Sequence, residues 1–221
     1  MAYDYAASVM ASVIRVTRLN PDGTLATGTT DSYVTKSFIS VSMTPEYEEG
    51  DEFTQKNAGG EVCVTYKAPD TLKRVNLEIA ICDPNPEFTE LVSGGALLTG
   101  ATTSDTVGWA APLIGQDAMP NGVAVEVWSK AIVDGKPASV NPYYHWVFPY
   151  AILRQGGDRV IENGILATSF EGWAVGNDGF AEGPNAPYWA FPEMTDRAYS
   201  YARTTGIPAG TGYTTVVPPV P

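Results

Sequence analysis

The chain has one histidine, two cysteines and, against 25 acidic residues, only 13 lysines and arginines. Each scarcity removes a class of function. A lone His145 cannot supply the histidine clusters of most zinc sites, nor an HExxH helix. Cys63 and Cys82 make no disulfide framework and are read as reduced core or near-core residues. A formal charge of −12 argues against a surface that grips nucleic acid, because such surfaces need clustered bases to displace counterions from phosphates. No apolar run approaches the ~20 residues that span a bilayer, so no membrane partner is expected. Residues 1–18 carry Asp4 and no early base, a poor signal peptide. The expectation is a soluble product of the cytoplasm. Neither GxxxxGK[ST] nor GxSxG occurs, which removes the phosphate-cradling loop and the nucleophile elbow.

What is present points to strands. The 221 residues suffice for one large domain, and 44% of them are hydrophobic. Glycine, proline and tyrosine are plentiful, as in a chain of many short strands joined by turns. Residues 9–19 and 32–43 read as two strands around the turn Asn20-Pro21-Asp22-Gly23, plausibly an antiparallel pair. Residues 44–60 follow, and five of the seven residues from 46 to 52 are acids. Such a run cannot bury itself and reads as a long solvent-facing loop. Residues 61–67 are β-prone, and 73–82 alternate cleanly, with Val75, Leu77, Ile79 and Ile81 on one side.

The stretch LEIAICDPNPEFTELVSGG, residues 77–95, raises the question of a catalytic corner built on Cys82 and Asp83. Its residue types answer otherwise. Asn85 is a good N-cap, Pro86 suits the first helical position and Glu87 suits the positive end of the helix dipole. Phe88, Leu91 and Val92 form one apolar stripe, and Gly94 and Gly95 supply a left-handed stop. A two-turn helix does not persist alone in water, so it is expected to lie on the face of Leu77, Ile79 and Ile81.

Beyond it, residues 96–113 give one or two short strands and 122–133 another, with Asp134-Gly135 as a turn. Residues 141–157 read as an aromatic strand in which Pro149 marks an edge or a bulge. Residues 159–177 read as a hairpin turning at Glu162, Asn163 and Gly164. Residues 195–204 read as a weak helix, and 206–221 as an extended Pro/Gly-rich tail after a single domain spanning 1–205. His145 lies in the aromatic strand and reads as a packed, hydrogen-bonded residue. The segment GNDGFAEG, residues 176–183, lacks the alternating ligands of a calcium loop. With so many acids, paired carboxylates carry no information, and no catalytic, cofactor-binding or metal-binding residue is assigned.

The succession FISVSMTPEYEEGDEFTQKNAGGEVCVTYKAPDTLKRVNLEIAICDPNPEFTELVSGG resembles the major tail tube proteins of long-tailed, siphovirus-type actinobacterial phages. The resemblance runs over about residues 10–100, and FEGWAVGNDGFAEGPNAPYWAFPE adds to it. It implies an all-β, mainly antiparallel subunit, sandwich or barrel-like, with one short flanking helix. It also implies hexameric rings that stack into the virion's tail tube, through which DNA is ejected without specific binding. Its partners would be other copies of itself and tail proteins such as the tape measure and tail terminator. The family's ring-stacking loop falls on Glu46, Glu48, Glu49, Asp51, Glu52, Phe53 and Lys56. Their charge would meet bases of the next ring, for example Lys73 and Arg74, or Arg154 and Arg159. No enzyme activity is expected. Negative groups facing the lumen would repel DNA within a Debye length, about 8 Å. The alternatives are another virion component, such as a tail terminator or head-decoration protein, and a carbohydrate-binding β-sandwich. The sandwich would use some of Trp109, Trp128, Trp146, Trp173 and Trp189 as stacking faces.

Overall fold

The computed structural model describes residues 6–82, 85–101, 105–117, 119, 121–157, 168–180, 191 and 194–217. The strands in chain order are β1 (Ala7–Arg18), β2 (Ser32–Thr35), β3 (Phe38–Glu48), β4 (Glu52–Lys56), β5 (Val62–Lys67) and β6 (Thr71–Ile81). The helix α1 (Pro86–Ser93) follows. Then come β7 (Ala96–Thr99), β8 (Thr106–Ala110), β9 (Val123–Val133), β10 (Lys136–Pro137), β11 (Tyr143–Gly156), β12 (Thr168–Val175), β13 (Ser200–Thr204) and β14 (Gly212–Thr214). The fold is mostly antiparallel β with one short helix.

The main sheet runs β14-β2-β1-β9-β11-β12-β6-β3, with β10 added to β9 and β13 to β11. Hairpins β4–β5 and β7–β8 form two further small sheets, so the described strands do not make one closed sandwich or barrel. The strand order of the main sheet turns on Lys36 and Ser37. The run expected as one strand over 32–43 breaks there. Its first part pairs with β1 over Ile14 to Thr17, and its second part leaves β1 to pair with β6. The sheet thereby curls, and β3 comes back toward β1 without ladder bonds between them.

The helix forms as its residues dictate. The Asn85 Oδ1 accepts from the Phe88 amide at 2.9 Å and its Nδ2 donates to the Tyr33 hydroxyl at 2.7 Å. Gly94 and Gly95 end it at φ of 70° and 100°. Phe88, Leu91 and Val92 are fully buried in the core that also holds Leu77, Ile79 and Ile81. The helix does not lie mainly on β6 as expected: its contacts are chiefly with β1, β2, β7, β8 and β11, and the Phe88 ring meets Tyr33 and Phe170 edge-on. At roughly 1.5–3 kcal/mol for each buried side chain, this packing outweighs the instability of so short a helix.

Strand β9 over Val123–Ser129, β1 over Val13–Thr17 and the middle of β11 are covered on both faces. Val123, Val125 and Val127 of β9 point into the core under α1. Ala124 points the other way, into a second cluster with Leu19, Phe180, Phe191, Met194 and Val216. Pro149 sits in the register shift of β11 between Phe148 and Ala151, the bulge its missing N–H requires. The weak helix expected over 195–204 is instead strand β13, paired with β11 from Tyr143 to Val147. The segment after residue 206 contributes β14, an edge strand on β2. The expected turn at Glu162, Asn163 and Gly164 lies outside the described residues, as do Asp83, residues 181–183 and the last four residues.

Candidate assembly surface and the buried polar centre

Residues 44–60 are not a loop. The first part, through Glu48, is the end of β3, and the rest belongs to an arm in which β4 and β5 pair antiparallel. The tip is well made. The Asn57 side chain accepts from the amides of Gly59 and Glu61, and Gly60 takes φ of 87°. At the root, the Ala68 amide donates to the Asp51 carbonyl at 2.9 Å and the Gly50 amide to the Asp70 carboxylate at 3.1 Å.

Every residue of β4 and β5 is exposed, yet the arm is amphipathic. Phe53 stands opposite Tyr66 and Gln55 opposite Val64, so Phe53, Val64 and Tyr66 share a face. Glu52 opposite Lys67 and Thr54 opposite Thr65 form the polar face. Phe53, Val62, Val64 and Tyr66 are each more than half exposed. Tyr47 and Leu72, also paired and exposed, extend the apolar surface toward the body.

The acids and the base expected to act together are distributed along this arm. Glu46 and Glu48 lie on β3, Glu49 and Asp51 at the joint, and Glu52, Phe53 and Lys56 on β4. Glu46 is already partnered within its own subunit. Its carboxylate accepts from Arg74 at 2.7 Å and Asn76 at 3.2 Å, with Lys73 at 3.7 Å. Arg74, then Asn76, hold its carboxyl below the usual range. Lys73 and Arg74, expected to meet the acids of a neighbouring ring, lie beside Glu46 across their own ladder. Arg154 is paired with Glu171 at 3.1 Å, and Arg159 lies outside the described residues. The return strand falls in the stretch 61–67 that reads as β-prone; what sequence reasoning missed is its partner β4, hidden in the run read as a loop.

A second polar constellation sits inside the main sheet. Arg15 and Glu126 are cross-strand partners, joined through Nε to Oε2 at 2.6 Å and Nη2 to Oε1 at 2.9 Å. His145 Nε2 lies 2.9 Å from Glu126 Oε1. Its ring stacks on Trp128 at 4.2 Å, and Arg15 lies over the same indole. Burial alone would push Glu126 up, but the charge of Arg15 and the contact with His145 outweigh it and hold the carboxyl at about 2. Burial holds His145 below its ordinary value, against the pull of Glu126. Because an ionised carboxylate only accepts, the neutral imidazole carries its proton on Nε2. This centre is sealed from solvent and has no room for a substrate.

His145 is thus the packed, hydrogen-bonded residue expected. The cysteines are not core residues: both are free and exposed, Cys63 on the arm and Cys82 with its thiol 3.1 Å from the Ser37 carbonyl. A Cys–His pair is excluded by the sealed ring and the exposed thiols. Among the described residues no group of three or more His, Cys, Asp or Glu is placed to hold a metal ion. Of the tryptophans, Trp128 is fully buried, Trp146 stacks on Tyr201 at 4.4 Å, and Trp109 donates to the Gly94 carbonyl at 2.8 Å. Trp173 lines an open trough, and Trp189 lies outside the described residues. The chain matches no model of a known protein family and no curated protein.

Proposed function

We propose that the chain is a structural subunit that assembles with copies of itself, as a building block of a phage tail tube. The observation that carries this reading is the β4–β5 arm. A lone two-stranded hairpin is marginal in water, and one with an uncovered face of Phe53, Val62, Val64 and Tyr66 is an interaction element. Its apolar face supplies the contact; the acids and Lys56 on and around it select register. This changes the role of the acidic run from adhesive to guide.

Hexameric rings and their stacking belong to the proposal through the resemblance. A net charge of −12 per subunit suits a conduit that DNA passes without binding. Negative-stain electron microscopy of the purified protein, alone and with its tail-initiation partners, tests it: stacked rings are the expected result. A protein that stays monomeric throughout overturns the assembly reading. Replacing residues 52–67 with a short Gly-Ser turn is expected to leave a folded subunit that forms no tubes. Tubes of normal length from that variant remove the arm from the interface.

A further inference from the structure

The solvent face of strands β3, β6, β12 and β11 holds a second feature, apart from the arm. Across these strands the ladders set Ser42 beside Glu78, Glu78 beside Glu171, and Glu171 beside Arg154. One rung along, Asn76 stands beside Trp173. These six side chains line a trough of about 620 Å3, within the usual 300–1,000 Å3 of ligand pockets.

The arrangement costs stability. Like charges directly opposite in an antiparallel pair repel, and Glu78 and Glu171 are such a pair. Only Arg154 faces them, at 3.1 Å from Glu171 and itself largely exposed. Trp173, tilted against Tyr150 at 6.4 Å, leaves part of its indole in the trough. The trough therefore combines a flat apolar ring with a surplus of hydrogen-bond acceptors on rigid strands.

We propose that this trough is a binding site for an uncharged oligosaccharide. The pairing of an indole face with hydrogen-bonding groups selects that chemistry. Two carboxylates, an amide oxygen and a serine hydroxyl match a ligand rich in O–H donors, while they repel nucleic acid and acidic glycans. The indole matches the C–H face of a pyranose ring, as aromatic faces do in ligand sites. The N–H groups of Arg154 not given to Glu171, and the Asn76 amide hydrogen not given to Glu46, supply donors for ring or glycosidic oxygens. The site is built within one subunit and stands whether or not the chain assembles.

Calorimetric titration of the dispersed protein with maltohexaose, cellohexaose, mannohexaose and N-acetylchitohexaose tests it. The expected result is saturable one-to-one binding of at least one of them. Trp173→Ala is expected to weaken it at least tenfold, Trp173→Phe less, and Glu78→Gln and Asn76→Ala severalfold. Heparin is expected not to bind. Trp173 is only partly buried, and unchanged unfolding midpoints separate lost binding from lost fold. The proposal is overturned if none of the four sugars saturates by about 10 mM, if Trp173→Ala binds as tightly as the parent, or if heparin competes for the site. Absence of rings in the micrographs leaves it standing, and absence of sugar binding leaves the assembly reading standing.

Discussion

The centre of the main sheet and the β4–β5 arm are both two-sided, and they solve opposite problems. At the centre, β9 is buried on both faces and must accommodate one charged side chain, Glu126, that no water reaches. It does so with two partners on neighbouring strands, Arg15 and His145. The arm has both faces in water and must accommodate apolar side chains that nothing in the subunit covers. The first region is complete within one chain; the second, under the proposed assembly, would be completed by another. A buried ion pair is weak evidence for net stability but a large liability once broken, whereas an exposed apolar pair is nearly neutral until a partner arrives. Mutations should therefore separate the two regions, with folding lost at one and assembly at the other.

The largest expected effect is at the centre. Glu126→Ala leaves Arg15 buried without its carboxylate, and about 3–5 kcal/mol of unfolding free energy should be lost in a denaturant titration. A double change, Arg15→Leu with Glu126→Leu, should recover most of that loss, since it removes both charges together. Acid tests the same centre. The folded Glu126 value, about 2, lies below the ordinary 4.5. The unfolded chain therefore takes up this proton first, and the stability contributed above pH 4.5 is lost as pH falls toward 2. His145 is also held below its ordinary 6.5, so the unfolded chain gains that proton first as well, and stability begins to fall below about pH 6.5. Unfolding free energy measured from pH 7 to 2 should decline throughout, and Glu126→Gln should flatten the segment below pH 4.5. An unchanged acid slope in that variant would contradict the assignment of the ionised form to Glu126.

Two glycines sharpen the comparison because each lies where a Cβ has no room. A Cβ at Gly172 would sit 1.9 Å from the Ile152 carbonyl oxygen, inside the main sheet. Gly172→Ala must push β12 from β11 and should cost about 1–3 kcal/mol. A Cβ at Gly50 would sit 2.1 Å from the Ala68 carbonyl oxygen, at the root of the arm. Gly50→Ala should leave the global unfolding free energy within about 0.5 kcal/mol and speed amide exchange over residues 52–67. Equal losses of global stability from the two changes would mean that arm and body unfold as one unit, against the separation drawn here.

The parts of the molecule legible in the sequence are those whose signals are local. The helix announces itself through Asn85, Pro86, the Phe88-Leu91-Val92 stripe and two glycines, and β6 through strict alternation. The turn at Asp134 and Gly135, with φ of 49° and 75°, and the bulge at Pro149 were legible for the same reason. What stayed hidden depends on partners distant in sequence. Nothing local marks Lys36 and Ser37 as the place where a strand trades β1 for β6. Residues 200–204 carry no strong strand pattern, and pairing with β11 decides their conformation. Glu126 stood in the open as an acid inside an apolar strand, but alternation cannot identify a face when both are buried. The acids of 46–52 masked β4, so the first half of the arm read as a loop although its return strand read as β-prone. Trp173 gained meaning only when the ladders placed Asn76, Glu78 and Glu171 beside it.

A smaller effect is expected at the helix start. Asn85→Ala removes the bond to the Phe88 amide and the one to the Tyr33 hydroxyl, and should cost about 1–2 kcal/mol in thermal or denaturant unfolding. Asn85→Asp keeps the cap acceptor but not the donor to Tyr33, so its loss should be smaller.

The smallest effect on stability should accompany the largest effect on assembly. Phe53 and Tyr66 face each other on the arm with both rings exposed, and the subunit gives them no third partner to bury them. Replacing both with serine removes one cross-strand aromatic pair, an interaction of roughly 0.2–1 kcal/mol confined to a hairpin whose strands pair only with each other among the described strands. Surface changes away from the core typically stay within about 0.5 kcal/mol, so the global unfolding midpoint should not move. Sedimentation of the same protein should show the loss of every species above the single ring. Changing Glu52 to Gln should do less: it removes one charge from the arm's polar face and should alter the salt dependence and rate of assembly more than its extent. If Glu52→Gln abolishes tubes while the serine pair leaves them intact, the charged face is the adhesive one and the apolar face is not, and the division between a self-sufficient centre and a partner-dependent arm must be redrawn around charge.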